Sequence, residues 1–155
     1  MMVEDLDRIV REHPFFQELP GWCRSLVTGC ARNARFEPGE HVFREGSDAG
    51  NFYLLREGRV ALELASGEGS VITFQTIGAG EVLGASWLVP PYRWTFDARA
   101  LERTRAIALD AVCLRTKCEE NPELGWDLMK RFVPVLVERM QAARLQMLDV
   151  YGRKS

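Results

Sequence analysis

A chain of 155 residues, 46% of them hydrophobic, is long enough to bury one core and short for two full domains. Its 20 basic and 22 acidic residues give a formal net charge of -2, which provides no electrostatic drive toward nucleic acid or an anionic membrane. The sequence has no apolar run of the roughly 20 residues that span a bilayer, and its acidic N-terminus lacks the pattern of a signal peptide. We therefore expect one cytoplasmic domain, over residues 1–155, that neither enters a membrane nor binds nucleic acid directly.

The first segment, residues 1–33, has the spacing of two helices separated by HPFFQELPGW. Phe15 and Phe16 in this connection are expected to anchor the segment on the core of the protein.

The middle segment, residues 34–110, changes to a hydrophobic period of two. The alternation is clear at three successive apolar positions: Val60, Leu62 and Leu64. Nine of the 13 glycines fall between Gly39 and Gly84, where they separate short predicted strands. Closely spaced strands with such turns predict an antiparallel barrel or sandwich.

The last segment, residues 111–151, is helical again and is interrupted once, at the Asn-Pro pair 121–122. Its long helix carries a heptad stripe: Met129, Val133, Leu136, Met140, Ala143, Met147 and Val150. This stripe either packs on the chain's own barrel or forms a dimer seam. Because Leu128, Phe132 and Val135 form a second apolar stripe that can serve the barrel, we favour a homodimer.

The four cysteines are not arranged as a recognisable metal or redox motif. Cys23 and Cys30 lie seven residues apart in a predicted helix, too far along its axis to bond to each other. Cys113 and Cys118 face different sides of their segment. Without a C-x-x-C pair and with only two histidines, the chain offers no predicted metal site. We expect reduced thiols that pack as small apolar groups, with redox sensing as the alternative.

The stretch FEPGEHVFREGSDAGNFYLLREGRVALEL, Phe36 to Leu64, resembles the first half of the cyclic-nucleotide-binding domain of the catabolite activator family. The resemblance rests on spaced turns and on one aromatic-aliphatic strand: Gly39-Glu40, Glu45-Gly46, the strand from Phe52 to Leu55, and Gly58-x-Val60. It implies an α+β fold, in which an antiparallel β-roll or jelly-roll has N-terminal helices and a long C-terminal dimer helix. Accordingly we divide the chain into N-terminal helices (1–33), the roll (34–110, with a cassette at 80–100) and C-terminal helices (111–151).

The cassette GEVLGASWLVPPYRWTFDARA, residues 80–100, is similar to the family's phosphate-binding segment. In that family a helix start, an arginine and a small hydroxyl residue hold the phosphate, and a glutamate after the glycine binds the ribose. The resemblance therefore implies six ligand-binding positions: Gly84, Ala85, Ser86, Arg93, Trp94 and Thr95.

Several residues of the cassette depart from the family pattern. Ala85 stands at the glutamate position and cannot accept a hydrogen bond. The arginine position falls on Trp94, and Arg93 lies one residue early, which turns its side chain away unless a bulge absorbs the shift. Phe96 stands where the family has a small residue, and Ala98 where it has valine. Cyclic AMP or cyclic GMP is the cofactor that the resemblance implies, but Ala85 opposes it, so we expect no cofactor.

The long helix departs from the family as well. Where the family brings hydroxyl residues to the purine, this chain has Glu138, Arg139 and Met140.

These patterns predict a non-catalytic regulatory sensor module that either binds a nucleotide or another small anion, or has lost cyclic-nucleotide binding. The sequence contains no G-x-S-x-G, H-E-x-x-H or P-loop motif, so we predict no enzymatic activity. One alternative is a ligand-free dimeric module that binds a protein partner. Another is the sensor half of a transcription regulator, because the ending LDVYGRKS resembles the family's hinge, although no helix-turn-helix precedes it.

Overall fold

The computed structural model describes residues 2–67 and 69–154, with side chains over 6–67 and 69–149. Two helices and a short 3-10 turn come first: α1 (Met2–Glu12), the turn Pro14–Phe16, and α2 (Gly21–Thr28). Eight strands follow: β1 (Ala31–Phe36), β2 (His41–Phe43), β3 (Asn51–Glu57), β4 (Arg59–Ala65), β5 (Val71–Gly78), β6 (Val82–Leu83), β7 (Asp97–Ala100) and β8 (Thr104–Asp110). A second 3-10 turn, Ser86–Leu88, lies between β6 and β7, and the chain continues with α3 (Ala111–Glu120) and α4 (Pro122–Lys154).

The strands form two four-stranded sheets, in the orders β1-β8-β3-β6 and β2-β7-β4-β5. Neighbouring strands pair antiparallel, including β3 with β8 and β4 with β5. Apolar side chains of both sheets meet in one core, where Leu54, Leu62 and Ile107 are fully buried. The predicted α+β fold, an antiparallel roll with flanking helices, is confirmed. Within the described residues, no helix is long and apolar enough to cross a membrane.

The N-terminal helices are held on the roll by the two phenylalanines that the sequence singled out. Phe16 is buried, and the ring of Phe15 packs edge-on against Phe132 of α4 at 4.8 Å between centroids. In addition, Arg131 donates from Nη1 to the carbonyl oxygen of Phe15 over 2.8 Å. The connection between α1 and α2 therefore touches the long C-terminal helix directly.

The expectation of four reduced thiols is wrong for one pair, since Cys30 and Cys113 form a disulfide with 5.8 Å between their Cα atoms. The antiparallel pairing of β1 with β8 places Ala31 opposite Leu109, so the residues before β1 and after β8 become neighbours. No short spacing in the sequence indicates this pair, because its two cysteines are separated by 83 residues. Cys23 and Cys118 remain thiols. Burial raises the pKa of both, that of Cys118 to about 11.

Candidate functional site

The glycine turn of the cassette is attached to the central strand β3. Gly80 donates from its backbone N to the oxygen of Leu55 over 2.9 Å, and Leu55 N donates to the oxygen of Glu81 over 2.9 Å. Gly84, directly after β6, has a φ of 99°, in the left-handed region that favours glycine. The helix start that follows is a single 3-10 turn of three residues, Ser86–Leu88. The predicted turn is therefore present, and the predicted helix start is short.

Trp94 occupies the interior next to this turn. Its side chain is 3% exposed, and the benzo edge of the indole lies so close to Gly84 that a Cβ there would be 2.6 Å from Cζ3. The ring stacks on Phe43, with 3.7 Å between centroids and 5° between planes. Its orientation is set by the backbone, because Trp94 N donates to the oxygen of Ser47 and Gly46 N donates to the oxygen of Trp94.

Two further aromatic rings extend this packing. Phe96 lies edge-on to Phe43 and to Phe74, each at 5.5 Å between centroids. Ala98, two residues further along β7, is fully buried and lies opposite Leu62 and Phe43 of the adjacent strands. The large residue at 96 and the small one at 98 thus fit together within one aromatic cluster, as expected when a core is repacked.

Arg93 and Thr95 flank Trp94 and are both exposed, as strand alternation predicts. The Arg93 guanidinium donates from Nη1 to the oxygen of Gly46 over 2.9 Å and lies 3.5 Å from the Asp48 carboxylate. An isolated antiparallel bridge joins Asp48 to Arg93 and holds this arrangement. The one-residue shift therefore directs Arg93 to the outer loop, where its charge is already partnered.

Ala85 and Ser86 lie on the side of the turn that faces α4. Both are half-buried. Ala85 lines an apolar cavity of about 130 Å³ whose other walls come from the 3-10 turn and α4: Leu88, Val89, Met129, Phe132, Val133 and Leu136. Of the six predicted ligand positions, only Gly84 and Trp94 meet in the interior. A ligand-binding role for the six stays a prediction.

The 3-10 turn is connected to both C-terminal helices. Trp87 is fully buried, stacks on Phe52 at 4.7 Å and meets the ring of Phe132 in α4 at 5.7 Å. Arg115 of α3 donates from Nη1 to the Trp87 oxygen over 2.7 Å, and its guanidinium lies 4.0 Å from the centre of the Tyr92 ring. The cassette is therefore packed directly against α3 and α4.

Two of the helix residues that stand where the family has its purine contacts, Glu138 and Arg139, line a cavity of about 150 Å³. Arg139 donates to the backbone oxygen of Val82, and burial lowers its pKa to about 10, against the opposing influence of Glu81 and Glu138. Gln75 donates from Nε2 to Glu138 Oε1 over 3.4 Å, while its Oε1 is buried without a partner. This region therefore carries charged and amide side chains joined by hydrogen bonds, in place of the hydroxyl groups of the family.

The long helix α4 separates its two apolar stripes as predicted. Leu128 and Phe132 are buried against the roll, and Val135 packs on its core. The heptad stripe faces outward, with large side chains that are about half exposed or more: Met129, Val133, Leu136, Met140 and Met147. Ala143 in the same stripe is half-buried. The side chains of residues 150–155, which include Val150 and most of the LDVYGRKS ending, lie outside those that the structure describes.

Sequence reasoning missed the residues that surround Trp94 and the arginine that holds the 3-10 turn. Phe43 and Phe74 lie in strands whose hydrophobic residues alternate, so their inward direction can be predicted from the sequence. Nothing in the sequence indicates that they lie near Trp94. Arg115 lies in α3 without a motif. Its contact with Trp87 depends on how α3 packs on the cassette.

Comparisons with known proteins agree with this architecture. The sequence model of the cyclic nucleotide-binding domain matches residues 34–121. The CRP-like cAMP-activated global transcriptional regulator of Mycobacterium tuberculosis is 22% identical over 145 residues, which are 94% of this chain and 63% of that protein. The chain thus spans less than two thirds of the length of this curated relative.

Solved structures show the same fold. A putative cyclic nucleotide-binding protein from Geobacter metallireducens GS-15 has a TM-score of 0.75 at 28% identity, covering 90% of this chain and 98% of that one. A mutant regulatory subunit of a cAMP-independent protein kinase A from Trypanosoma brucei, bound to cAMP, has a TM-score of 0.69 at 17% identity, covering 96% of this chain and 52% of that one. Because the domain match extends over more than half of the sequence, the chain belongs to the cyclic nucleotide-binding domain family.

Proposed function

We propose that this chain is a non-catalytic regulatory module of the family that works without a cyclic nucleotide, with the Trp94 indole where relatives hold the phosphate. In this proposal the signal passes through α4, which forms a homodimer and offers its surface to a protein partner. The proposal includes a cytoplasmic location, where thiols are generally kept reduced. In that location Cys30 and Cys113 would exchange between the disulfide and two thiols as the surrounding redox potential changes.

The observation that carries the proposal is the contact between Trp94 and Gly84. The indole edge lies against the glycine whose turn the family uses to approach the phosphate, and Phe43 stacks on the ring at 3.7 Å. A ligand in that position would have to displace a buried aromatic side chain. Burying a ring of this size is worth about 2–3 kcal/mol, and its stacking adds about 0.5–1.5 kcal/mol.

The charges of the cassette support the same function. Arg93, which lies one residue before the family's arginine position, is exposed and bound to Gly46 and Asp48, and the Ala85 side chain offers no acceptor for a ribose hydroxyl. The kinase subunit from Trypanosoma brucei offers an analogy, since it is described as cAMP-independent and a mutant of it is bound to cAMP. We propose that this chain, likewise, is separated from a ligand-binding relative by a few substitutions.

The output surface of the proposal is the exposed stripe on α4. Large apolar side chains on one helix face, such as Leu136 and Met140, form the kind of patch that a partner covers. A heptad spacing favours a second helix of the same kind as that partner. Phe132 packs on Trp87 of the cassette at 5.7 Å, so the 3-10 turn of the cassette and the helix are in direct contact.

The test is a ligand titration read by thermal unfolding. We expect cyclic AMP and cyclic GMP at millimolar concentration to leave the Tm of the wild-type chain unchanged. The double variant A85E with W94R restores the two family side chains. If it binds with ligand at about 100 times Kd, it should gain about 2.7 kcal/mol, or several degrees in Tm.

The matched control for this experiment is W94L, which opens the interior without restoring either charge. It should be less stable than the wild type and should not respond to ligand. A rise in Tm of the wild-type chain that R93A abolishes would overturn the proposal, because it would make the cassette a working anion site that recruits Arg93.

A further inference from the structure

A groove with three arginines lies on the outer surface of the β1-β8-β3 sheet and has no lining residue from the cassette. It is lined by residues of three neighbouring strands and has a volume of about 340 Å³: Asn33, Ala34 and Arg35 of β1, Arg56 of β3, and Arg105 and Ala106 of β8. Such a concentration of positive charge stands out in a chain whose formal net charge is -2.

Two of the arginines lie directly opposite each other. The β1–β8 register pairs Arg35 with Arg105. Like charges in directly opposed positions of antiparallel strands are destabilising. Their carboxylate partners are weak, since Glu37 lies 3.9 Å from Arg35 and Glu57 lies 3.8 Å from Arg105, in pairs that are about half exposed. The pairing of these strands therefore retains a repulsion that nearby carboxylates do little to offset.

The third arginine, Arg56, is placed by an irregularity in β3. The β3–β8 register shifts between Leu55 and Glu57, so Arg56 has no residue opposite it. Bulges of this kind re-aim a side chain. Arg56 is half-buried, and within the described part of the chain its guanidinium makes no hydrogen bond or ion pair. The donors of this guanidinium are therefore open to solvent and available to a bound anion.

We propose that this groove binds the phosphoryl group of a small phosphorylated ligand. Three guanidinium groups, one on each of three adjacent strands, suit a group with three terminal oxygens better than a planar carboxylate with two. Arginine forks bind phosphoryl oxygens in a bidentate manner. The Asn33 amide, which also lines the groove, can supply a further donor. This site is independent of the cassette and of the proposed function.

The proposal is tested by calorimetric titration of the full chain with inorganic pyrophosphate at low ionic strength, with citrate as a carboxylate of similar charge. We expect saturable binding of pyrophosphate and much weaker binding of citrate. Removing one charge-assisted contact should weaken pyrophosphate binding by about tenfold or more. That loss is expected for each of three variants: R35Q, R56Q and R105Q.

The matched control is R103Q, which removes an exposed arginine of the same surface that is paired with Glu37 at 3.4 Å and does not line the groove. It should leave pyrophosphate affinity nearly unchanged. Three outcomes would overturn the proposal: no saturable pyrophosphate binding, equal binding of citrate, or a loss in R103Q as large as that in R56Q. The last would indicate a diffuse charge effect. Thermal unfolding of each variant checks that it is folded, as expected for substitutions of side chains on the surface.

Discussion

The benzo edge of the Trp94 indole lies against Gly84, at the point where a side chain on residue 84 would overlap the ring. Each residue constrains the other. Only glycine leaves room for the ring at this turn, and the ring fills the space that the glycine opens. The cassette of this chain is thus closed by contacts between its own first and last parts.

Substituting Gly84 by alanine should therefore lower the free energy of unfolding by more than the strain of a positive φ alone accounts for. The Cβ would meet Cζ3 of Trp94 at 2.6 Å, and the φ of 99° is unfavourable for alanine. Together, left-handed strain and overpacking predict a loss of about 2–5 kcal/mol. Denaturant unfolding measures this loss.

Gly39 provides a matched control, because its φ is 86° and nothing lies within 4 Å of the position of its Cβ. G39A should lose only the backbone part, about 1 kcal/mol. In a W94L background, G84A should cost only the backbone part, because the ring that its Cβ would meet is gone. Equal losses in G84A and G39A would contradict the close contact.

Charged substitutions in the heptad stripe should convert a dimer to a monomer. We expect L136E and M140E, singly and most completely together, to halve the sedimenting mass, because a buried carboxylate without a partner is strongly unfavourable. Both side chains are exposed in the single chain, so the monomer should stay folded. Q141E adds the same charge as each single variant, at an exposed polar position next to the stripe, and should leave the mass unchanged. If the double variant sediments like the wild type, the helix is not the seam.

Reduction of the Cys30–Cys113 disulfide should destabilise the protein. The bond closes a segment of 83 residues, and in the chain-entropy description its loss costs about 2–5 kcal/mol. Unfolding by urea should therefore occur at lower concentration when dithiothreitol is present. The double variant C30S with C113S should have the lower stability in both conditions.

Cys118 supplies the control for the redox experiment, since its thiol is half-buried and not bonded. C118S should keep the response to dithiothreitol. A wild-type chain that unfolds at the same urea concentration with and without reductant would show that the bond adds no stability.

The buried His13 should make stability depend on pH. Its Nε2 lies 3.0 Å from the oxygen of Leu55, its Nδ1 accepts from Phe15 N, and burial lowers its pKa below 6.5 despite the opposing influence of the Leu55 bond. In the unfolded chain the imidazole takes up a proton near pH 6.5, and in the folded chain only at lower pH. The unfolded state therefore gains protons first, and stability falls as the pH drops below 6.5, by at most about 1.4 kcal/mol per unit.

The variant H13Q tests this pH dependence. Its stability at neutral pH is expected to be lower, but the difference between wild type and variant should shrink as the pH falls from 7 to 5. The informative quantity is the slope of unfolding free energy against pH. Parallel curves for the two proteins would rule out His13 as the titrating group.

The sequence by itself determined the class of fold and the two stripes of α4. These features depend on local periodicity. Alternation by two specifies which strand residues face the core, and spacing by three and four specifies which helix residues do. The direction of Arg93 stayed open at that level, because a bulge could have absorbed its one-residue displacement. The structure places it outward, in the segment before β7, by its bridge to Asp48.

Only the tertiary structure decided which distant residues meet. Cys30 and Cys113 are joined because β1 pairs with β8, and the interior beside Gly84 is filled because Phe43 lies where Trp94 can stack on it. Arg56 lacks an opposite residue because of a register shift that no local pattern specifies. These contacts arise from strand pairing across large separations, whose free energy is shared by the whole core and is not encoded in any short segment.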